Sequence, residues 1–178
     1  IGICSISILI ICLSSFYEWV KNDFKNSFFG FLLIFNFGFW SIFYASTDNT
    51  AFIFYALIIL NTALFDTFAY LVGYNFGKTY IAKEISPNKT LEGLIGGVIA
   101  SASLGCLAGY IFDMYLLIVI FLIGSIFAFT GDLLISYFKR QSGVKDTGTI
   151  LPGHGGVLDR IDSHLLATPI LILIIILL

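Results

Sequence analysis

Between Ser136 and Asp162 the chain reads SYFKRQSGVKDTGTILPGHGGVLDRID, a charged, glycine-broken segment set among stretches apolar enough for lipid. Asp132, Lys139, Arg140, Lys145, Asp146, His154, Asp159, Arg160 and Asp162 all fall in or just before it. An ionisable side chain at bilayer depth costs about 2.5–3.5 kcal/mol on insertion scales, so such a concentration marks a site. Asp132 precedes the Lys139–Arg140 pair by about two helical turns, and Ser136 at i+4 and Lys139 at i+7 share its face. Asp159 and Asp162, spaced i and i+3 at the start of a last helix, point the same way. Carboxylates from two facing helices at one depth suit Mg2+, which takes one or two of them and completes its shell with substrate phosphates. The plainer alternative is an ion pair of Asp132 with Arg160 or Lys139 inside the bundle.

The run Pro152, Gly153, His154, Gly155, Gly156 leads straight into the acidic helix start. A glycine turn there offers backbone N–H groups to an anion. Lys139, Arg140, Lys145 and Arg160 surround it with positive charge, and cations, a divalent metal and open amides together are what a triphosphate needs. The bland reading is a solvated basic loop that touches anionic lipid. His154 is placed either as a general base or as a hydrogen-bond donor to phosphate, whereas His164 on the apolar helix reads as a core histidine. A second constellation lies earlier. Asp66 and Tyr70 are one turn apart, Gly73 and Gly77 continue their face, and the loop AKEISPNKTLEG follows. Thr90 suits the cap of the next helix and Glu92 its positive end. Lys83 and Lys89 are in reach of lipid or nucleotide phosphates, and a carboxylate such as Asp66, buried in lipid, requires a partner.

The elements that must carry these side chains follow from composition. The chain has 58% apolar residues, 11% charged residues and a mean hydropathy of +0.99. Soluble proteins average about a quarter charged. The chain reads as all-α, a polytopic membrane helix bundle with about six transmembrane helices and a polar site facing the cytoplasm. At about 20 apolar residues per crossing, the spans are Ile1 to Val20, Ser27 to Ala45, Thr50 to Gly77, Leu91 to Phe112, Tyr115 to Phe138 and Leu158 to Leu178. Residues 1–178 form one membrane domain, with N-terminal helices in 1–49 and catalytic helices and loops in 50–178. The first helix lacks the basic leader of a signal peptide, and Trp19 with Lys21 reads as an interfacial anchor. Since the sequence starts at Ile1 and stops within the apolar run Leu165 to Leu178, it reads as a fragment.

All nine Lys and Arg residues follow the first, third or fifth helix, and none lies in the connections around Ser46 to Asn49 or at Asp113. The positive-inside rule makes that side cytoplasmic, where nucleotides are. Gly93, Gly97, Ser101, Gly105 and Gly109 recur every fourth residue. Such a stripe lets backbones approach within one chain or between two copies. Cys4, Cys12 and Cys106 lie in apolar runs without CxxC spacing, which speaks against disulfides and thiolate metal sites.

At this point the run Ser136, Lys139, Arg140, Lys145, Asp146, Leu151, Pro152, His154, Gly155, Gly156, Asp159, Arg160, Asp162 resembles the signature of the CDP-diacylglycerol synthase (phosphatidate cytidylyltransferase) family. DTFAYLVGYNFGK from Asp66 and SPNKTLEG from Ser86 are similar to two further motifs of that family. The resemblance covers about Asp66 to Asp162, and family members usually carry more N-terminal helices. It implies attack of the phosphatidic acid phosphate on the α-phosphorus of CTP, giving CDP-diacylglycerol and pyrophosphate. A phosphate monoester with a second pKa of about 6 needs no strong base, which leaves positioning and charge neutralisation to do the work. Under this resemblance Asp132 and Asp159 would bind Mg2+, with Asp162 and Asp66 supporting. Lys139, Arg140, Lys145 and Arg160 would hold the triphosphate, Asp146 would orient one of those cations, and His154 would serve at the reacting phosphates. Ser136, Ser86, Lys89, Thr90 and the Gly155–Gly156 backbone would contact nucleotide or lipid headgroup. The implied partners are CTP, phosphatidic acid and the bilayer, with no nucleic acid and with a homodimer left open, in a bacterial inner membrane.

Three other readings compete. A CTP-dependent polyprenol or other lipid-alcohol kinase would need a base for its alcohol nucleophile. An ion-coupled transporter would use Asp66 and Asp132 as a cation path at mid-membrane. A lipid-binding scaffold would catalyse nothing.

Overall fold

The computed structural model describes residues 2–148 and 155–178. Five long helices lead the architecture: α1 (Gly2–Lys21), α2 (Ser27–Ala45), α3 (Asn49–Phe76), α4 (Leu91–Ile111) and α5 (Leu116–Gln141). All five are long and apolar enough to cross a membrane. A two-stranded antiparallel hairpin, β1 (Tyr80–Ala82) with β2 (Ser86–Thr90), joins α3 to α4 and pairs Tyr80 with Thr90 and Ala82 with Ser86. The chain closes with α6 (Leu158–Ile161) and α7 (His164–Ile176). Large side chains such as Phe28, Phe35, Phe39 and Phe43 of α2 remain exposed, as expected where the surrounding solvent is hydrocarbon.

Short polar connections set the helix ends. The Asp48 side chain caps α3 by accepting from the Ala51 amide at 2.7 Å. Thr90 Oγ1 caps α4 by accepting from the Gly93 amide at 3.2 Å. Both are residue types that satisfy the otherwise unpaired amides of a first turn. Asn26 and Asp113 take left-handed φ values of 63° and 52°, which their short polar side chains tolerate at tight corners. Every Lys and Arg outside the helices lies in the connections after α1, α3 and α5. Lys21, Lys139, Arg140 and Arg160 lie in helices beside those same connections, so one end of the bundle is basic.

Two expectations need correction. The last helix is not continuous. It breaks at Asp162–Ser163, and α7 has 13 residues, so among the described residues the long spans number five rather than six. The Asp162 side chain accepts from the Ser163 amide at 2.8 Å, a local bond that competes with the helix. α5 passes so close behind the break that a Cβ on Gly131 would lie 2.7 Å from the Asp162 carbonyl oxygen. Trp19, expected at the lipid interface, is fully buried. It packs edge-on against Phe24 at 5.3 Å and against Phe138 at 4.9 Å, and Gly30 makes room for its indole. Trp19 therefore belongs to the core that joins α1, α2 and α5 below the basic end.

The small-residue stripe of α4 is used within the chain. A Cβ on Gly97 would sit 2.6 Å from the Phe65 ring of α3, and one on Gly105 would sit 2.7 Å from Ile118 Cα of α5. Gly97→Val forces Phe65, itself buried, out of its place. The expected result is a loss of about 1–3 kcal/mol, read as a lower midpoint of thermal unfolding in detergent.

Candidate active site

At the basic end a cavity of about 210 Å³ opens between α3, the hairpin, α4 and α5, lined among others by Asp66, Tyr70, Ser86, Lys89 and Asp132. The hairpin delivers Lys89 to it. Glu92, near the start of α4, accepts from the backbone amides of Lys78 and Thr79 at 3.1 Å each, and Leu91 N donates to Thr79 O at 2.8 Å, so the hairpin is pinned at its base. Lys89 Nζ then lies 2.6 Å from Asp132 Oδ2 and 4.9 Å from the centre of the Phe129 ring. Asp132 Oδ1 accepts from Ser136 Oγ at 3.2 Å. Their i, i+4 spacing on one helix predicts that contact. Asp66 accepts from Ser163 Oγ at 3.0 Å, which supplies the partner its own helix lacks.

Asp162 joins this group from the break between α6 and α7. Asp132 and Asp66 lie close enough to repel it, and Lys139 close enough to attract it. Burial, with that repulsion added, holds the Asp162 carboxyl well above the usual carboxylate range. Asp159 faces elsewhere. Its Oδ1 meets Lys139 Nζ at 2.9 Å, and its Oδ2 accepts from the amides of Thr147 at 2.8 Å and Gly156 at 3.0 Å. Burial works to raise the Asp159 carboxyl, but these bonds outweigh it and hold the group below its ordinary range.

The expected pairing of Asp132 with Asp159 is thus redistributed. Asp132 keeps company with Asp66, Asp162 and Lys89, while Asp159 fastens the connection after α5 to Lys139. The glycines also differ from expectation. Gly155 takes φ 82°, a left-handed conformation that glycine adopts freely. Gly156 donates its amide to Asp159, and the place of its missing side chain is filled by Thr147 Oγ1 and Glu18 Oε2. The backbone at this helix start, expected to be open to phosphate, is already engaged. The amides of Gly156, Val157 and Leu158 all donate to carboxylates.

Among the expected phosphate-binding cations, Arg140 is exposed and ties α5 to the hairpin through Nε to the Ile85 carbonyl at 3.0 Å. Lys145, Asp146 and Arg160 are exposed at the same end. Thr90 is buried as a cap and also lines the cavity. His154 lies outside the described residues, as do Leu151, Pro152 and Gly153. Sequence reading missed Glu18, Thr147 and Ser163. Glu18 carried a usable signal, since a lone acid in an apolar helix is as costly as Asp66.

Asp66, Asp132 and Asp162 present hard oxygen ligands of the kind Mg2+ takes. Asp66 and Asp132 lie near Lys89, and Asp162 lies close to both of those carboxylates and to Lys139. Among the described residues no group of three or more His, Cys, Asp or Glu side chains is arranged to hold a metal ion.

A cytidylyltransferase family model matches residues 1–178. The chain is 45% identical over 139 residues to a phosphatidate cytidylyltransferase of Staphylococcus haemolyticus, covering 75% of this chain and 53% of that protein. It is 43% identical over 143 residues to the phosphatidate cytidylyltransferase of Staphylococcus aureus strain COL, covering 78% and 54%. It is 39% identical over 143 residues to that of Staphylococcus epidermidis, again covering 78% and 54%. The chain spans about half the length of these curated relatives.

Proposed function

The chain belongs to the cytidylyltransferase family, and from that premise we propose that this protein transfers a cytidylyl group from CTP to phosphatidic acid. The observation that carries the reading is the cavity in which Asp66, Asp132 and Lys89 meet at the basic end of a membrane bundle, with Asp162 beside them. A phosphate oxygen of phosphatidic acid forms a bond to the α-phosphorus of CTP, the bond from that phosphorus to the bridging oxygen breaks, and pyrophosphate leaves with its electron pair. The attacking oxygen is already largely ionised at neutral pH, so the chain needs no base and supplies orientation and positive charge instead.

Lys89, held by Asp132 beside Ser86 and Thr90, is the group we assign to the lipid phosphate. Lys139, kept in place by Asp159, and the exposed Arg140, Lys145 and Arg160 receive the triphosphate and the departing pyrophosphate. Asp132, Asp66 and Asp162 would hold Mg2+, which when bound neutralises phosphate charge. The basic end would face the cytoplasm of a bacterial inner membrane, because all nine basic residues gather there. With the α4 stripe spent within one chain, a homodimer would use a different surface.

Membranes containing the full protein are expected to convert labelled CTP and phosphatidic acid into CDP-diacylglycerol and pyrophosphate when Mg2+ is supplied. Polyprenol in place of phosphatidic acid should take up no label from the γ-phosphate of CTP. Phosphorylation of polyprenol alone would replace this reading with a lipid-alcohol kinase.

A further inference from the structure

Glu18 is buried near the basic end of α1, yet it does not line the cavity and has no part in the mechanism above. Its two carboxylate oxygens reach across the molecule to the connection that carries the signature. Oε1 accepts from the Val157 amide at 2.9 Å. Oε2 accepts from the Leu158 amide at 2.9 Å and from Thr147 Oγ1 at 2.8 Å. The same neighbourhood is shaped to admit it. A Cβ on Gly148 would lie 2.6 Å from Oε1, and one on Gly156 would collide with Oε2. Asn22, just past the end of α1, adds a bond from Nδ2 to the Thr147 carbonyl at 2.6 Å.

Thr147 is therefore shared by two carboxylates, its hydroxyl taken by Glu18 and its amide by Asp159. Asp159 in turn holds Lys139. A continuous chain of bonds thus runs from Glu18 through Thr147 and Asp159 to a cation assigned to the triphosphate. From this geometry we propose that Glu18 is a positioning residue for nucleotide binding, whose carboxylate clamps both ends of the connection between α5 and α6 and so fixes Asp159, Lys139 and Arg160 toward CTP. This inference rests on the cytidylyltransferase reading. Glutamate is required rather than glutamine because each of its oxygens accepts from a backbone amide. The side-chain nitrogen of glutamine would face one of those amides with another donor.

The test uses the full protein in membranes or detergent. Glu18→Gln is expected to raise the KM for CTP on the order of 10–100-fold while the KM for phosphatidic acid stays at its wild-type value. Thr147→Val should show the same split in milder form, Thr147→Ser should restore wild-type behaviour, and the Glu18→Gln, Thr147→Val double variant should be no worse than Glu18→Gln alone. Hydrogen exchange at the Val157 and Leu158 amides should accelerate in Glu18→Gln. If that variant fails to insert, the Thr147 pair decides in its place. An unchanged KM for CTP with unchanged exchange overturns the proposal, and so does an equal rise in both KM values accompanied by a lower unfolding temperature. If the wild-type protein transfers no cytidylyl group to phosphatidic acid, the functional reading fails, while the exchange measurement still decides whether Glu18 is the clamp.

Discussion

Under the proposed function, Asp132→Asn is expected to lower cytidylyl transfer on the order of 10²–10³-fold while the protein still inserts, the scale on which removing one electrostatic group from a pre-organised site reduces turnover. Asparagine keeps the shape and can still accept from Ser136, so packing of α5 changes little. It removes the charge that holds Lys89 at 2.6 Å and one of the three carboxylates available to a divalent ion. Two defects coincide at one position, so the loss should exceed that of Lys89→Met, which removes only the cation. The comparison is made with labelled CTP and phosphatidic acid in membranes matched for protein content. Turnover within threefold of wild type in Asp132→Asn would remove Asp132 from the site.

Asp159→Asn is expected to cost stability as well as activity. Its carboxylate joins Lys139 to the amides of Thr147 and Gly156, and an amide side chain cannot serve three donors. Losing charged hydrogen bonds, the direct ion pair of Lys139 among them, should destabilise by about 2–4 kcal/mol, read as a lower unfolding midpoint in detergent. Activity should fall with it, since Lys139 loses its anchor. The pH dependence has a definite sign. The folded pKa is depressed. The stabilisation is therefore fully present above the unfolded value of about 3.9 and is lost as pH falls through the lower folded value. Wild type should lose this contribution only in strong acid, and Asp159→Asn should lack that part of the acid transition.

The spans were legible because a helix bathed in hydrocarbon is apolar on every side, and its ends show wherever the apolar run stops. α2 matches its expected bounds, and α3, α4 and α5 start within a residue of theirs. The hairpin was not legible. Its strands are short and one contains Pro87, so no alternation marks them. The relation between Asp159 and Asp162 failed for a specific reason. Spacing places two side chains on one helical face but does not say what packs against each: Asp159 is taken up by Lys139 and the amides of Thr147 and Gly156, whereas Asp162 lies close to Asp132 and Asp66 as well as Lys139. The role of Lys89 was half visible. Its basic character suggested a phosphate, but only the folded hairpin brings it against Asp132. Glu18 escaped because Trp19 and Lys21 beside it suggested an interfacial position, whereas tertiary packing buries both Glu18 and Trp19.

The bonds from Glu18 to Thr147, Val157 and Leu158 join residues separated by 129, 139 and 140 positions. Contacts that distant in sequence form late, because the closure entropy of the intervening chain must be met before they contribute. A ribosome that has delivered α1 through α5 to the membrane has produced the bundle without its latch. Under the proposed function, the positioning of Asp159 and Lys139 therefore waits until α6 docks against α1, and a nascent chain halted before Val157 would occupy the membrane without it.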